Sequence, residues 1–174
     1  MYSLYPYEAV DGIPTYRDSD LHILWDKMGR DNTLRRAFFD GTADTFWGFK
    51  QIWMDQHNQL FVCYKTDDEG TQEVCALAWL TGLGPNPVAN IHYVIFKEFW
   101  GKDNPAMIDH FIDLIFEKTG LMIVYGITPV SNRLACRMVD KLGFTKVGVL
   151  PMCCYDAYHR QAVDGLISYR TRKE

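Results

Sequence analysis

Two hydrophobic periods alternate along the chain, and the switches between them mark its elements. The first eighteen positions carry Pro6, Gly12 and Pro14 and read as irregular chain with one short strand. From Ser19, a plausible N-cap, apolar residues fall at helical spacing: Leu21, Leu24, Trp25 and Met28. A second short helix is predicted over 33–39, stopped by Gly41. A third follows Thr42, where Phe46, Phe49, Ile52 and Trp53 recur at three- and four-residue steps. Such an aromatic stripe lines a groove or packs a core, and the core is the simpler reading.

The period then becomes that of strands. Apolar runs over 60–66 and 73–81 flank an acidic turn at 67–70, a hairpin signal. Residues 88–96 are almost continuously apolar, as expected of a central strand. Pro105 then opens a helix whose apolar face runs from Met107 to Phe116, and Gly120 ends it. Residues 121–128 form another strand, broken by Pro129. Ser131 can cap a helix carrying Leu134, Ala135, Met138, Val139 and Leu142, ended by Gly143. Short strands over 147–150 and 163–170 close the chain. This order predicts an α/β fold with a mixed, mostly antiparallel central sheet flanked by helices. It forms one domain over 1–174, with a helical part at 1–59 and a core at 60–171.

Composition narrows the class. A chain of 174 residues with 48% hydrophobic and 23% charged residues has the material for one full core and is too apolar for disorder. The formal charge of -4 lacks the basic footprint of a nucleic-acid binder, so no nucleic-acid partner is expected. Five cysteines, an odd count without a Cys-x-x-Cys pair, do not suggest a disulfide framework. No basic region precedes an apolar run at the N-terminus, and no apolar stretch approaches the ~20 residues of a membrane span. A cytoplasmic protein with no membrane partner is the expectation. Arg35-Arg36 and the basic run at 170–173 read as solvated faces. Asp109, His110 and Asp113 are ligand types on one helix, but His110 lies beside Asp109 rather than a turn away, and no metal is expected.

Residues 131–150, SNRLACRMVDKLGFTKVGVL, resemble the closing motif of the GNAT superfamily, the Gcn5-related N-acetyltransferases. There an Asn opens a helix, a small residue follows three on, and Lys-Leu-Gly-Phe ends the helix before a strand. Asn132, Ala135, Lys141, Leu142, Gly143 and Phe144 fit that spacing. The element order from residue 60 is also similar. The stretch Lys97-Glu98-Phe99-Trp100-Gly101-Lys102 looks like the branch that acetylates protein N-termini, ribosomal proteins among them.

The resemblance implies acetyl-CoA as co-substrate and direct attack of a small-molecule or peptide amine on its thioester. It implies that the pantetheine arm pairs with the backbone of Val94, Ile95 and Phe96, and that Asn132 and Ala135 hold it at the next helix. The loop carrying Trp100, Gly101, Lys102, Asp103, Asn104 and Ala106 would receive the pyrophosphate, where helical N–H groups and dipole favour anions. Among titratable groups, His92 is the candidate base by its titration range, with Glu98 as substitute and Tyr125 as candidate acid. The superfamily's phosphate loop is written Gln/Arg-x-x-Gly-x-Gly/Ala. Here Asp103 and Pro105 occupy its two small positions. A carboxylate there repels phosphate, and Pro lacks a donor. The alternative is therefore a GNAT-fold binding or structural protein without turnover. The aromatic N-terminal helices would cap the acceptor groove or a partner subunit, which leaves a homodimer open.

Overall fold

The computed structural model describes residues 1–11, 13–101 and 104–173. The N-terminal segment is more regular than its prolines suggest. Tyr2–Pro6 is strand β1, and β2 (Ala9–Val10) and β3 (Ile13–Pro14) form a small separate ribbon. Helix α1 (Asp18–Arg30) starts just before Ser19. Asp20 turns its carboxylate back to accept from the Arg17 N–H at 2.8 Å, satisfying a donor at the helix entrance. Helix α2 is a single turn, Leu34–Ala37. Helix α3 (Phe46–Met54) is capped by Thr45 rather than Thr42: its Oγ1 accepts from the Gly48 N–H at 3.1 Å.

The predicted hairpin is β4 (Gln59–Thr66) with β5 (Gln72–Thr81), and β6 (Val88–Ile95) follows as the central strand. Helix α4 (Asn104–Thr119), β7 (Ile123–Pro129) and α5 (Arg133–Lys141) lie close to their sequence expectations. Strands β8 (Thr145–Asp156) and β9 (Gln161–Thr171) are much longer than predicted. The reason is positional. Strand β8 is the sheet edge, mostly exposed, and register shifts between Lys146 and Gly148 and between Leu150 and Cys154 break its alternation.

Seven strands run in the order β1-β4-β5-β6-β7-β9-β8, antiparallel throughout except for the parallel β6–β7 pair. The sheet has apolar layers on both faces. On one, Met107, Phe111, Ile115 and Phe116 of α4 pack on Ala89, Ile91, Ile95 and Val124. On the other, Leu21, Leu24 and Met28 of α1 with Phe49 and Trp53 of α3 cover Leu77, Trp79 and Val94. The aromatic stripe of α3 is thus chiefly core. None of the described helices is long and apolar enough to cross a membrane.

The basic run near the C-terminus is only partly a solvated face. Arg170 is 6% exposed. Its Nη1 donates to Asp109 at 2.5 Å and to the Leu142 carbonyl at 3.2 Å, and its Nη2 to Asp113 at 2.7 Å. The ligand-type carboxylates of α4 therefore serve a guanidinium that ties β9 to α4 and the end of α5.

Candidate active site

Strands β6 and β7 pair only where 88–90 meet 123–125, and beyond that point they separate. A pairing parity decides what the split exposes. The Phe96 N–H donates to the Cys75 carbonyl at 3.0 Å, directly across from it. Residues of even number on β6 therefore turn their hydrogen-bonding groups to β5, and Ile91, Tyr93 and Ile95 turn theirs toward β7. Of the three residues expected to hold the pantetheine arm, only Ile95 presents its backbone to the split. Val94 and Phe96 face β5, and Phe96 is fully buried against the α1 layer.

A cavity of about 400 Å³ occupies the split. Ile91 to Ile95 line one wall and Gly126 to Pro129 the other. Asn132, Ala135, Met138 and Val139 of α5 close one end, with Trp100, Gly101 and Asn104 beside them. Thr33, Arg36, Ala37 and Phe39, from α2 and its flanks, close the other, next to Trp79 and His92. The cavity thus runs through the sheet from the α4–α5 face to the α1–α3 face.

Polar groups in it are unevenly committed. The Trp100 indole donates to the Ile95 carbonyl at 2.9 Å, occupying one acceptor of the free edge. Asn132, not Ser131, caps α5: its Oδ1 accepts from the Ala135 N–H at 3.2 Å, which leaves its NH₂ for a ligand. Ser168 lines the cavity at 1% exposure, and its hydroxyl has no hydrogen-bond partner. It stands across from Gly126, where an added Cβ would lie 3.8 Å from the Ile91 carbonyl and 4.0 Å from the Ser168 Oγ. The missing side chain opens a notch between an acceptor and an orphaned hydroxyl. An unpaired buried hydroxyl costs roughly 1–3 kcal/mol, so this notch favours a ligand that pairs with it.

His92 stacks on Trp79, and its Nε2 lies 3.2 Å from the Thr81 hydroxyl. Burial pushes its pKa down to about 4, against a smaller opposing pull from Asp40. The titration-range argument for His92 thus meets a different ring: neutral across the physiological range and a weak holder of a proton. Glu98 stands outside the cavity lining, on the 3-10 turn Lys97–Phe99, paired with Lys27. Burial raises its carboxyl, but Lys27 outweighs this and holds it below the usual carboxylate range. Tyr125 pairs with Asn90 and Tyr169 at the root of the split, one residue before the lining begins. Ala106 is exposed on the first turn of α4 and borders a separate cleft with Lys141 and Lys173. Lys102 and Asp103 lie outside the described residues.

Sequence reading missed Ser168, Gly126, Trp79 and Arg36. Only Gly126, a glycine inside an apolar strand, carried a signal of close backbone approach.

No family model matches the chain, and no curated protein matches it by sequence. Its fold, a mixed sheet split at one parallel pair and flanked by helices, is that of the GNAT N-acetyltransferases. Among solved structures, the spermidine N-acetyltransferase of Vibrio cholerae in complex with CoA and spermine superposes with a TM-score of 0.72 at 18% identity, over 98% of this chain and 95% of that one. The ribosomal-protein-S5-alanine acetyltransferase of Vibrio fischeri gives 0.66 at 14% identity, over 99% and 94%. A dodecameric form of the Vibrio cholerae enzyme gives 0.68 at 18% identity, over 98% and 94%.

Proposed function

We propose that this chain is an N-acetyltransferase that uses acetyl-CoA and a primary amine acceptor. The observation that carries the reading is the notch at the split, where the free edge of β6, Gly126 and the unpaired Ser168 hydroxyl meet. These groups suit an amide-bearing arm laid along β6 as an added strand. Acetyl-CoA, when bound, supplies a thioester carbonyl open to an amine. Ile91 and Tyr93 offer backbone donors and acceptors to the arm, Asn132 offers its NH₂, and Ser168 offers its hydroxyl. In the transfer the amine nitrogen forms a bond to the acetyl carbon, the carbon–sulfur bond breaks, and the sulfur leaves as a thiolate that takes up the proton the nitrogen loses. The amine must arrive deprotonated, because free amines are mostly protonated near neutral pH. His92 is the titratable ring beside the α2 end of the cavity; burial makes it a weak base, so it suits a hydrogen-bonding role toward the incoming amine rather than taking up its proton. Glu98 and Tyr125 do not line the cavity, so this reading gives neither a direct contact with the reacting groups.

The second reading, a binding protein without turnover, draws on Pro105 in the first turn of α4, which removes one phosphate-facing N–H. Thermal unfolding with and without acetyl-CoA tests the binding step. At ~100 times its dissociation constant the ligand adds about 2.7 kcal/mol of stability. No shift at millimolar acetyl-CoA overturns the acetyltransferase reading. A shift without acetyl transfer to any amine selects the binding protein.

A further inference from the structure

The acceptor end of the cavity carries an unexpected charge. Among the described residues that line the cavity, Arg36 is the one side chain with a formal charge at neutral pH, and no carboxylate lines it. Its sequence neighbour is already employed: the Arg35 guanidinium sits over the Tyr158 ring, 4.7 Å from its centroid. Arg36 is exposed and has no ion-pair partner among the described residues. The nearby carboxylates point to other duties. Asp40 accepts from the Thr42 N–H at 3.1 Å and its hydroxyl at 2.8 Å, and Asp44 accepts from the Tyr158 hydroxyl. His92 adds no charge, because burial keeps its ring neutral.

Position separates Arg36 from the phosphate end. Phe38 and Ala37 of the same segment pack on the α1–α3 face with Trp79. Gly101 and Asn104, at the start of α4, belong to the opposite face, which α4 covers. A nucleotide phosphate at α4 lies on the far side of the sheet from Arg36. The guanidinium is therefore free for the second substrate.

Resting on the acetyltransferase reading, we infer that the acceptor is a small primary amine that also carries an anionic group, with Arg36 binding that group. A carboxylate is the first choice, because the guanidinium fork matches its two oxygens. The mildly acidic chain as a whole would attract a polycation, but among the described residues the cavity lining offers a polyamine no carboxylate and one repelling charge. Arg36 is a specificity residue here and takes no part in the transfer.

The test is an acetyl-transfer assay on the full chain with matched acceptors: amino acids, the corresponding amino-acid amides, an aminoalkyl phosphate, and spermidine. The expected result is transfer to the carboxylate-bearing amines over their amides and over spermidine. Arg36→Gln should raise KM for the acid by roughly ten- to hundred-fold, the range for losing a hydrogen bond to a charged group, and leave the amide unchanged. Arg36→Lys should restore part of the loss. Preference for the aminoalkyl phosphate, sensitive to Arg36→Gln, keeps the anionic class and moves the anion to phosphate. Preference for spermidine, or an equal effect of Arg36→Gln on acid and amide, overturns this inference and leaves the acetyltransferase reading standing. Failure of acetyl-CoA to stabilise the chain overturns both.

Discussion

The indole of Trp79 and the imidazole of His92 form an offset parallel stack, with centroids 5.2 Å apart and planes 7° from parallel. Phe38 stacks on the same indole at 5.0 Å and 12°. The three rings bind the α2 segment to β5 and β6, so this end of the cavity is held by aromatic packing. They also bury the imidazole, and a pH dependence follows. The folded chain keeps His92 neutral down to about 4. The unfolded chain protonates it near the ordinary value of about 6.5. Between those values the unfolded state binds the extra proton, so stability falls as pH drops through this window. Above it, His92 contributes no pH dependence. His92→Phe keeps a ring on Trp79 and removes the titration. From about pH 7 to about pH 5, the parent should lose about 2 kcal/mol more than the variant in urea unfolding.

The Arg170 cluster gives a stability prediction with an internal control. Asp109→Asn with Asp113→Asn leaves a buried guanidinium without its carboxylates and should cost about 3 kcal/mol. Adding Arg170→Met to that pair removes the stranded charge and should recover much of the loss. Chemical denaturation of the three proteins checks it. A double variant as stable as the parent would remove the cluster from the fold's support.

Two glycines should respond oppositely to the same change. A Cβ at Gly126 meets nothing closer than 3.8 Å, so Gly126→Ala should fold with a melting temperature at or slightly above the parent's. It should weaken stabilisation by acetyl-CoA, because the added methyl fills the notch. A Cβ at Gly165 would stand 2.4 Å from Cys153 Sγ and 2.9 Å from Ile127 Cγ2. Gly165→Ala should therefore destabilise by about 1–3 kcal/mol through overpacking. Thermal melts with and without acetyl-CoA separate the two behaviours.

Tyr158 links the β8–β9 hairpin to the α2 end of the cavity through Asp44 and Arg35. Burial and the Asp44 carboxylate push its hydroxyl up to about 12, so it donates throughout the working range. Tyr158→Phe keeps the ring under Arg35 and loses the bond to Asp44. We expect a stability loss of about 1 kcal/mol, a higher KM for the acceptor, and unchanged affinity for acetyl-CoA, measured by steady-state kinetics and titration calorimetry.

The order of elements from residue 60 onward was legible because β4 to β7 and α4 are buried, and burial writes hydrophobic period into sequence. The closing hairpin was legible only in fragments. Edge strand β8 faces solvent along most of its length, so its twelve residues carry no clean alternation. The helix caps were misplaced by one to three residues, since Ser131 and Asn132, or Thr42 and Thr45, are chemically equivalent until the backbone selects one. At the candidate site, Asn132, Ala135, Trp100, Gly101 and Asn104 could be placed from motif spacing, and all five border the cavity. Ser168 could not, because an isolated serine in an apolar strand has no signature. Its interest comes from Gly126 across the sheet, a neighbour fixed only by register. His92 was visible as a titratable ring, but the burial that sets its protonation comes from Trp79, thirteen residues away in sequence.

The tip of the β8–β9 hairpin reaches back to α2 and its connection to α3. The Ala157 N–H donates to the Phe39 carbonyl at 2.9 Å, beside the Tyr158–Asp44 and Arg35–Tyr158 contacts. This makes the order of synthesis matter. On a ribosome the α2–α3 connection emerges long before the residues that brace it, and the split sheet lacks β9 until more than a hundred residues after that connection are out. The cavity is then completed only after both strands of the hairpin are made, and a chain released before the hairpin would present an unbraced α2 wall and an open sheet edge at β7.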